Sequence, residues 1–118
     1  MRVNILGTEY TIKQETIEED CKLEEMNGYC DVTTKEIVIE KIKEDKFTVK
    51  DIKAFTDKVL RHEIIHAFLY ESGLYTNTEN QWAVNEEIVD WIAIQLPKII
   101  EVLNNLRGTW GYKSQKGS

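Results

Sequence analysis

Residues 48–72 read TVKDIKAFTDKVLRHEIIHAFLYES, and this stretch decides the fold. Ile52, Phe55, Val59 and Ile65 recur at roughly helical spacing, and Thr48 with Asp51 three residues on has the form of a capping box. A long helix is therefore predicted from Thr48 to about Ser72, with Gly73 as its left-handed stop. It carries His62-Glu63-Ile64-Ile65-His66, which holds both histidines of the chain. At about 100° per residue the two imidazoles lie about 40° apart and one turn apart along the axis, so both can point at one ion. Glu63 lies about 100° round from His62, within reach of a water held there, which suits a general base.

C-terminal to this helix, Leu74 to Asn77 reads as a loop and Thr78 as the N-cap of a second long helix with Gln81 at its third position. Trp82, Ile88, Val89, Ile92 and Leu96 would be its apolar positions, Pro97 would kink it or open a new segment to Leu106, and Gly108 would end it. His66 stands 7 residues before Gly73 and Glu86 stands 8 after Thr78, so the two legs are about 10 and 12 Å long. An antiparallel hairpin of helices then brings Glu86 level with His66, giving two nitrogens, one oxygen and an open fourth position, the ligand set of a catalytic zinc. Asp90, one turn beyond Glu86, is placed to accept the spare ring hydrogen bond of His62. Glu86 is preferred to Glu87 because Trp82 and Asp90 share its face, whereas Glu87 aligns with Ala83 and Trp91.

N-terminal to the first helix the period changes. Val3 and Ile5, then Tyr10 and Ile12, alternate with polar residues about Gly7 and predict a hairpin. Glu15 to Asn27 reads as a solvated loop or short acidic helix. Tyr29 to Val32 and Glu36 to Glu40 read as a second hairpin, with Ile37 and Ile39 on one face. The fold class is α+β: a small N-terminal sheet packed on a long active-site helix and a second long helix carrying the third ligand. With 118 residues, 42% of them hydrophobic, one domain over 1–108 is expected, followed by a flexible tail at 109–118.

A net charge of -6 argues against nucleic acid as a partner, and the longest apolar runs are far shorter than the roughly 20 residues of a membrane span. The first residues lack the apolar stretch of a signal peptide, and Cys21 and Cys30 lack Cys-x-x-Cys spacing, so both are expected as reduced thiols in a cytoplasmic protein.

The His62-to-His66 motif, followed by Asn85-Glu86 and Asp90 with Glu86 twenty residues after His66, resembles the gluzincin-type zincin metallopeptidases. The second motif looks like that of the thermolysin-like enzymes, where this glutamate is the third zinc ligand and the aspartate supports the site. Glu86-x-x-Val89-Asp90-x-Ile92-Ala93-x-x-Leu96-Pro97 is similar to the glutamate helix of the ImmA/IrrE-type metallopeptidases. The closest likeness is to compact phage- or prophage-encoded zincin-like proteins built of little more than a sheet and two helices. The resemblance implies a minimal zincin-like fold, Zn2+ held by His62, His66 and Glu86, and hydrolysis of a protein or peptide substrate with Glu63 as the base.

The run Glu36 to Glu40 and its hairpin partner are expected to hold an extended peptide by strand addition. Tyr70, one turn after His66, is the candidate oxyanion donor, with Tyr75, Arg107 and Tyr112 as further candidates. Trp82, Trp91 and Phe68 are expected to brace the helix pair. A chain this short leaves little material for a deep cleft, which a second copy or a partner protein would complete. The competing reading is a regulatory binding module that keeps the metal without turnover. A metal-free helical protein would require both motifs to coincide by chance.

Overall fold

The structure is a computed structural model and describes residues 1–44 and 50–107. Four strands form one mixed sheet: β1 (Arg2–Ile5), β2 (Thr8–Glu15), β3 (Gly28–Asp31) and β4 (Glu36–Glu40). Its order is β1-β2-β4-β3, with β1 and β3 each antiparallel to its neighbour and β2 parallel to β4. Both predicted hairpins form, and the parallel pairing joins them, setting Ile12 opposite Ile37. The chain passes from β2 to β3 through an irregular stretch with one 3-10 turn, Cys21–Glu24, whose Leu23 is buried. Ile37 and Ile39 share a face as expected, and Val38 is buried as well, as befits an interior strand.

Helix α1 (Ile52–Glu71) lies across the sheet. Its start departs from expectation: Thr48 lies outside the described residues, and Asp51 is itself the N-cap, its carboxylate accepting from the Ala54 N–H at 2.9 Å. Val59 and Ala67 of α1 close the main core with Ile5, Tyr10, Ile12, Ile37 and Ile39. At the far end Glu71 accepts from Thr8 Oγ1 (3.0 Å), Tyr10 Oη (2.6 Å) and Lys35 Nζ (2.9 Å), tying the last turn to β2 and to the turn before β4. Gly73 takes a φ of 85° and ends the helix.

The second helix does not begin at Thr78. Leu74–Asn77 is a single helical turn, α2, held by Asn77 Nδ2 donating to Gly73 O at 2.8 Å. A 3-10 segment, Glu79–Val84, follows, with Asn80 and Gln81 in the left-handed region. The long helix α3 is Glu86–Asn105. Thr78 makes no side-chain cap bond, whereas Asn85 Oδ1 accepts from the Ile88 N–H at 2.9 Å, so Asn85 is the working cap. Trp82 therefore lies off α3, and Trp82, Trp91 and Phe68 are all exposed rather than packed between the helices. Leu69, Ala83 and Val89 form the smaller core cluster that holds α3 to α1, with Ile65 against it. Gly108 and the tail 109–118 lie outside the described residues. Among the described residues no helix is long and apolar enough to cross a membrane.

Helix α3 runs through Pro97 without ending there. Proline has no N–H for the carbonyl four residues back, which here is Ala93 O, and its ring crowds that oxygen. The missing donor comes from the other helix: Arg61 Nε donates to Ala93 O at 2.7 Å. This bond fixes α3 along α1, one residue from His62. Arg61→Met is expected to destabilise the protein by about 1–3 kcal/mol, because a buried carbonyl loses a charged donor. In a Pro97→Ala background the same change should cost clearly less, since the backbone N–H restored at position 97 then serves Ala93 O. Urea unfolding of the four proteins measures the coupling, and equal costs in both backgrounds would refute it.

Candidate metal centre

Helix α1 is covered on two sides, by the sheet and by α3, and the histidines lie on the strip between these contacts. His62 and His66 thus face a cleft between the β3 edge of the sheet and the first turn of α3. Their Nε2 atoms are 3.1 Å apart. Glu86, the first residue of α3, brings Oε1 to 2.6 Å from His66 Nε2 and Oε2 to 3.4 Å from His62 Nε2. Among the described residues these three form the group of ligating side chains that could hold a metal ion. Ligand atoms about 2.0–2.1 Å from a tetrahedral zinc stand about 3.3 Å from one another, so the observed separations fit such an ion after small side-chain shifts.

The orientation of His62 is set from behind. Its Nδ1 lies 3.1 Å from Asp90 Oδ1, one turn beyond Glu86, which leaves Nε2 for the cleft. Lys58 Nζ approaches the same Asp90 oxygen at 3.3 Å. Burial raises the Asp90 pKa, but the hydrogen bonds from His62 and Lys58 outweigh it, and the carboxyl titrates below its usual value.

Glu63 is 8% exposed and lines the cleft on both sides of the histidines. Burial pushes its pKa up to about 7; the Glu86 charge adds to this and His62 opposes it. A carboxylate poised near neutrality can both take and return a proton at ordinary pH. The sign of the accompanying stability effect follows from linkage. Native metal-free protein holds the Glu63 proton between about pH 4.5 and 7 while the unfolded chain has released it, so stability falls as pH rises through that window. Burial lowers the His66 pKa and acts in the opposite sense, but equally in wild type and in Glu63→Gln. The stability difference between these two metal-free proteins should therefore grow by about 3 kcal/mol from about pH 4.5 to 7.5, in favour of the variant. A flat difference in urea midpoints would show that Glu63 is not desolvated.

The cleft has two adjoining parts. One, of about 290 Å³, is lined by Tyr29, Cys30, Val32, Tyr75 and Val84 beside His66 and Glu86. The other, of about 230 Å³, is lined by Asn27, Lys58, Val59 and Asp90 beside His62. Met26, Gly28, Glu63 and Glu86 border both. At Gly28 a Cβ would stand 2.9 Å from Val59 Cγ1 and 3.0 Å from Val38 O, so only glycine lets β3 settle this closely on α1. The strand beside the site with an open edge is β3; Glu36–Glu40, as β4, is paired on both sides and has none to offer.

Tyr70, the expected oxyanion donor, is not among the cleft residues. Its ring lies under Lys35 Nζ at 4.8 Å and edge-on to Tyr75 at 5.4 Å, and it is Tyr75 that reaches the cleft. Arg107 lies beyond the end of α3 and Tyr112 outside the described residues. Cys21 and Cys30 are free thiols, and burial pushes Cys30 up to about 12. The cleft wall of Tyr29, Cys30 and Val32 carries no sequence signal of its own, because it depends on which strand ends at the edge. No family model, characterised protein or solved structure matches the chain.

Proposed function

We propose that this protein is a zinc-dependent peptidase that cleaves extended or unfolded polypeptide. The observation that carries the reading is the convergence of His62 Nε2, His66 Nε2 and the Glu86 carboxylate at metal-ligand spacing, with buried Glu63 in the same cleft. A bound zinc ion supplies Lewis acidity, polarising a peptide carbonyl and making a water easier to deprotonate.

The chain's own residues do the rest. Glu63 takes a proton from the attacking water as its oxygen bonds to the carbonyl carbon, and delivers that proton to the amine nitrogen as the C–N bond breaks. One water is consumed, and an acid and an amine leave. Asp90 holds His62 in the orientation that presents Nε2. The open edge of β3 holds the substrate backbone as an added strand, and Tyr75 offers an O–H to the developing oxyanion.

The test is metal analysis of protein purified without a His-tag, followed by assay on unfolded casein. About one zinc per chain, with activity abolished by a chelator and restored by zinc, is the expected result. Stoichiometric zinc with no cleavage of casein or a peptide library would favour a metal-keeping binding module, and absence of zinc binding would end both readings.

A further inference from the structure

Lys58 is the one lysine or arginine among the described residues that line the cleft, and the proposed chemistry gives it no task of its own. It stands one turn before His62, as His62 stands one turn before His66, so the three side chains follow one another along the same strip of α1. Asp90 Oδ1 lies 3.3 Å from Lys58 Nζ and 3.1 Å from His62 Nδ1. A single carboxylate oxygen therefore separates the ammonium from the ring that presents Nε2 to the cleft. Arg61, the nearest other cation on α1, is committed to Ala93 O on α3. Lys58 has three N–H donors, of which Asp90 takes one; the Phe55 ring lies 5.4 Å from Nζ, and 29% of the side chain is open to solvent.

The sheet sets which part of a substrate passes this lysine. Asn27 O accepts from the Glu40 N–H at 2.8 Å, and in an antiparallel ladder hydrogen-bonded pairs alternate, so Tyr29 and Asp31 also bond to β4. The N–H and C=O groups of Gly28 and Cys30 then point the other way, to the open edge, and both residues border the cleft. β3 runs from Gly28, set closely against Val59, toward Cys30 and Val32 beside His66 and Tyr75. A strand added antiparallel, the more stable pairing per residue, runs in the opposite direction. Its residues before the scissile bond lie toward Tyr75, and those after it pass His62 and Lys58. These two side chains are one turn apart, about 6 Å along α1, which is a span of about two strand residues. A group on the first or second residue after the cut comes level with the ammonium.

Resting on the peptidase reading, we propose that Lys58 is an anion-binding subsite, and that it selects substrates with a carboxylate on the first or second residue after the bond cut. The carboxylate is that of an acidic side chain or of the substrate's own C-terminus. It takes the ammonium donors that Asp90 leaves, as a charge-assisted hydrogen bond in a half-buried place. The acidic groups around Lys58 do not compete for it: Asp90 is shared with His62, and Glu86 faces the two histidines. A lysine or arginine at the same substrate position meets a like charge and is disfavoured.

A synthetic peptide library in two forms, with free and with amidated C-termini, separates the two sources. Recognition of a side chain is unaffected by amidation, and recognition of a terminus is abolished by it. The expected result is cleavage about 10-fold or more faster where a carboxylate follows the bond than where the matching amide does, the range of a hydrogen bond to a charged group. Lys58→Met should lose this preference while cutting the amide forms as the parent does, and Lys58→Arg should keep it. Retention of the same peptides on immobilised Glu63→Gln protein, with and without Lys58→Met, ranks them by affinity alone. A chain that cleaves nothing thus refutes the peptidase reading, while the subsite is still decided by binding. Equal treatment of acid and amide in both readouts, or a preference that survives in Lys58→Met, would overturn the proposal. So would a preference on the amino side of the cut, or equal slowing of both kinds of peptide by Lys58→Met, the mark of a lysine that acts only through Asp90 on His62.

Discussion

Under the proposed function, Glu63→Gln is expected to bind zinc as the parent does and to lower turnover by about 10²- to 10⁴-fold, the range by which a positioned general base speeds a reaction. The amide has the size and shape of the carboxyl group, so the buried site between the sheet and α3 is preserved. What the variant lacks is a basic oxygen to take the water proton and return it to the leaving amine. Glu63 is not one of the three converging side chains that could hold the ion, so metal content should not follow activity downward. Zinc analysis and a casein assay on the same preparation check both halves. Cleavage at the parental rate would remove Glu63 from the chemistry, and loss of zinc would make it a ligand.

The second large effect concerns the carboxylates at the start of α3. Glu86→Ala would remove one of the three proposed ligands and should weaken zinc binding more than Asp90→Ala, which would act only through His62 and should cost about 10- to 100-fold. Glu86 and Glu87 are both exposed on the first turn, so neither truncation disturbs the core. Only Glu86 lies within bonding range of both histidines, and Glu87→Ala should bind zinc nearly as the parent does. Competition against a chromophoric chelator ranks the three variants. Strong loss in Glu87→Ala with near-normal binding in Glu86→Ala would reverse the assignment.

The histidine pair was legible because its geometry is local: a four-residue step on a helix fixes the relation of His62 to His66 wherever the helix goes. Glu86 was legible for a reason that does not hold. Equal helical legs from Gly73 and Thr78 suggested the convergence, but the chain returns through one short turn and a 3-10 segment, and α3 begins only at Glu86. Left-handed Asn80 suits an asparagine, but Gln81 beside it has no such short-range preference, and the surrounding structure imposes the pair of left-handed residues. Pro97 reads as a break because proline removes a donor, and the replacement comes from Arg61, more than thirty residues upstream. The parallel pairing of β2 with β4 is likewise a non-local choice. It decides that β3 and not β4 has the open edge beside the site, and so which residues wall the cleft.

The two separate core clusters imply that the molecule does not loosen all at once. The sheet and α1 share the larger cluster, while α3 is held by Leu69, Ala83 and Val89, the Arg61 bond and the side chains around Glu86. A metal ion joining His66 to Glu86, as proposed, would close a loop of about twenty residues, and in chain-entropy terms such a cross-link is worth about 3 kcal/mol. Chelation would therefore act on one part of the protein. Amide hydrogens of α3 and the 79–84 link would begin to exchange with solvent by sub-global opening, while those of β2, β4 and the middle of α1 stay protected until the whole domain unfolds. Zinc supply would then govern the docking of a single helix.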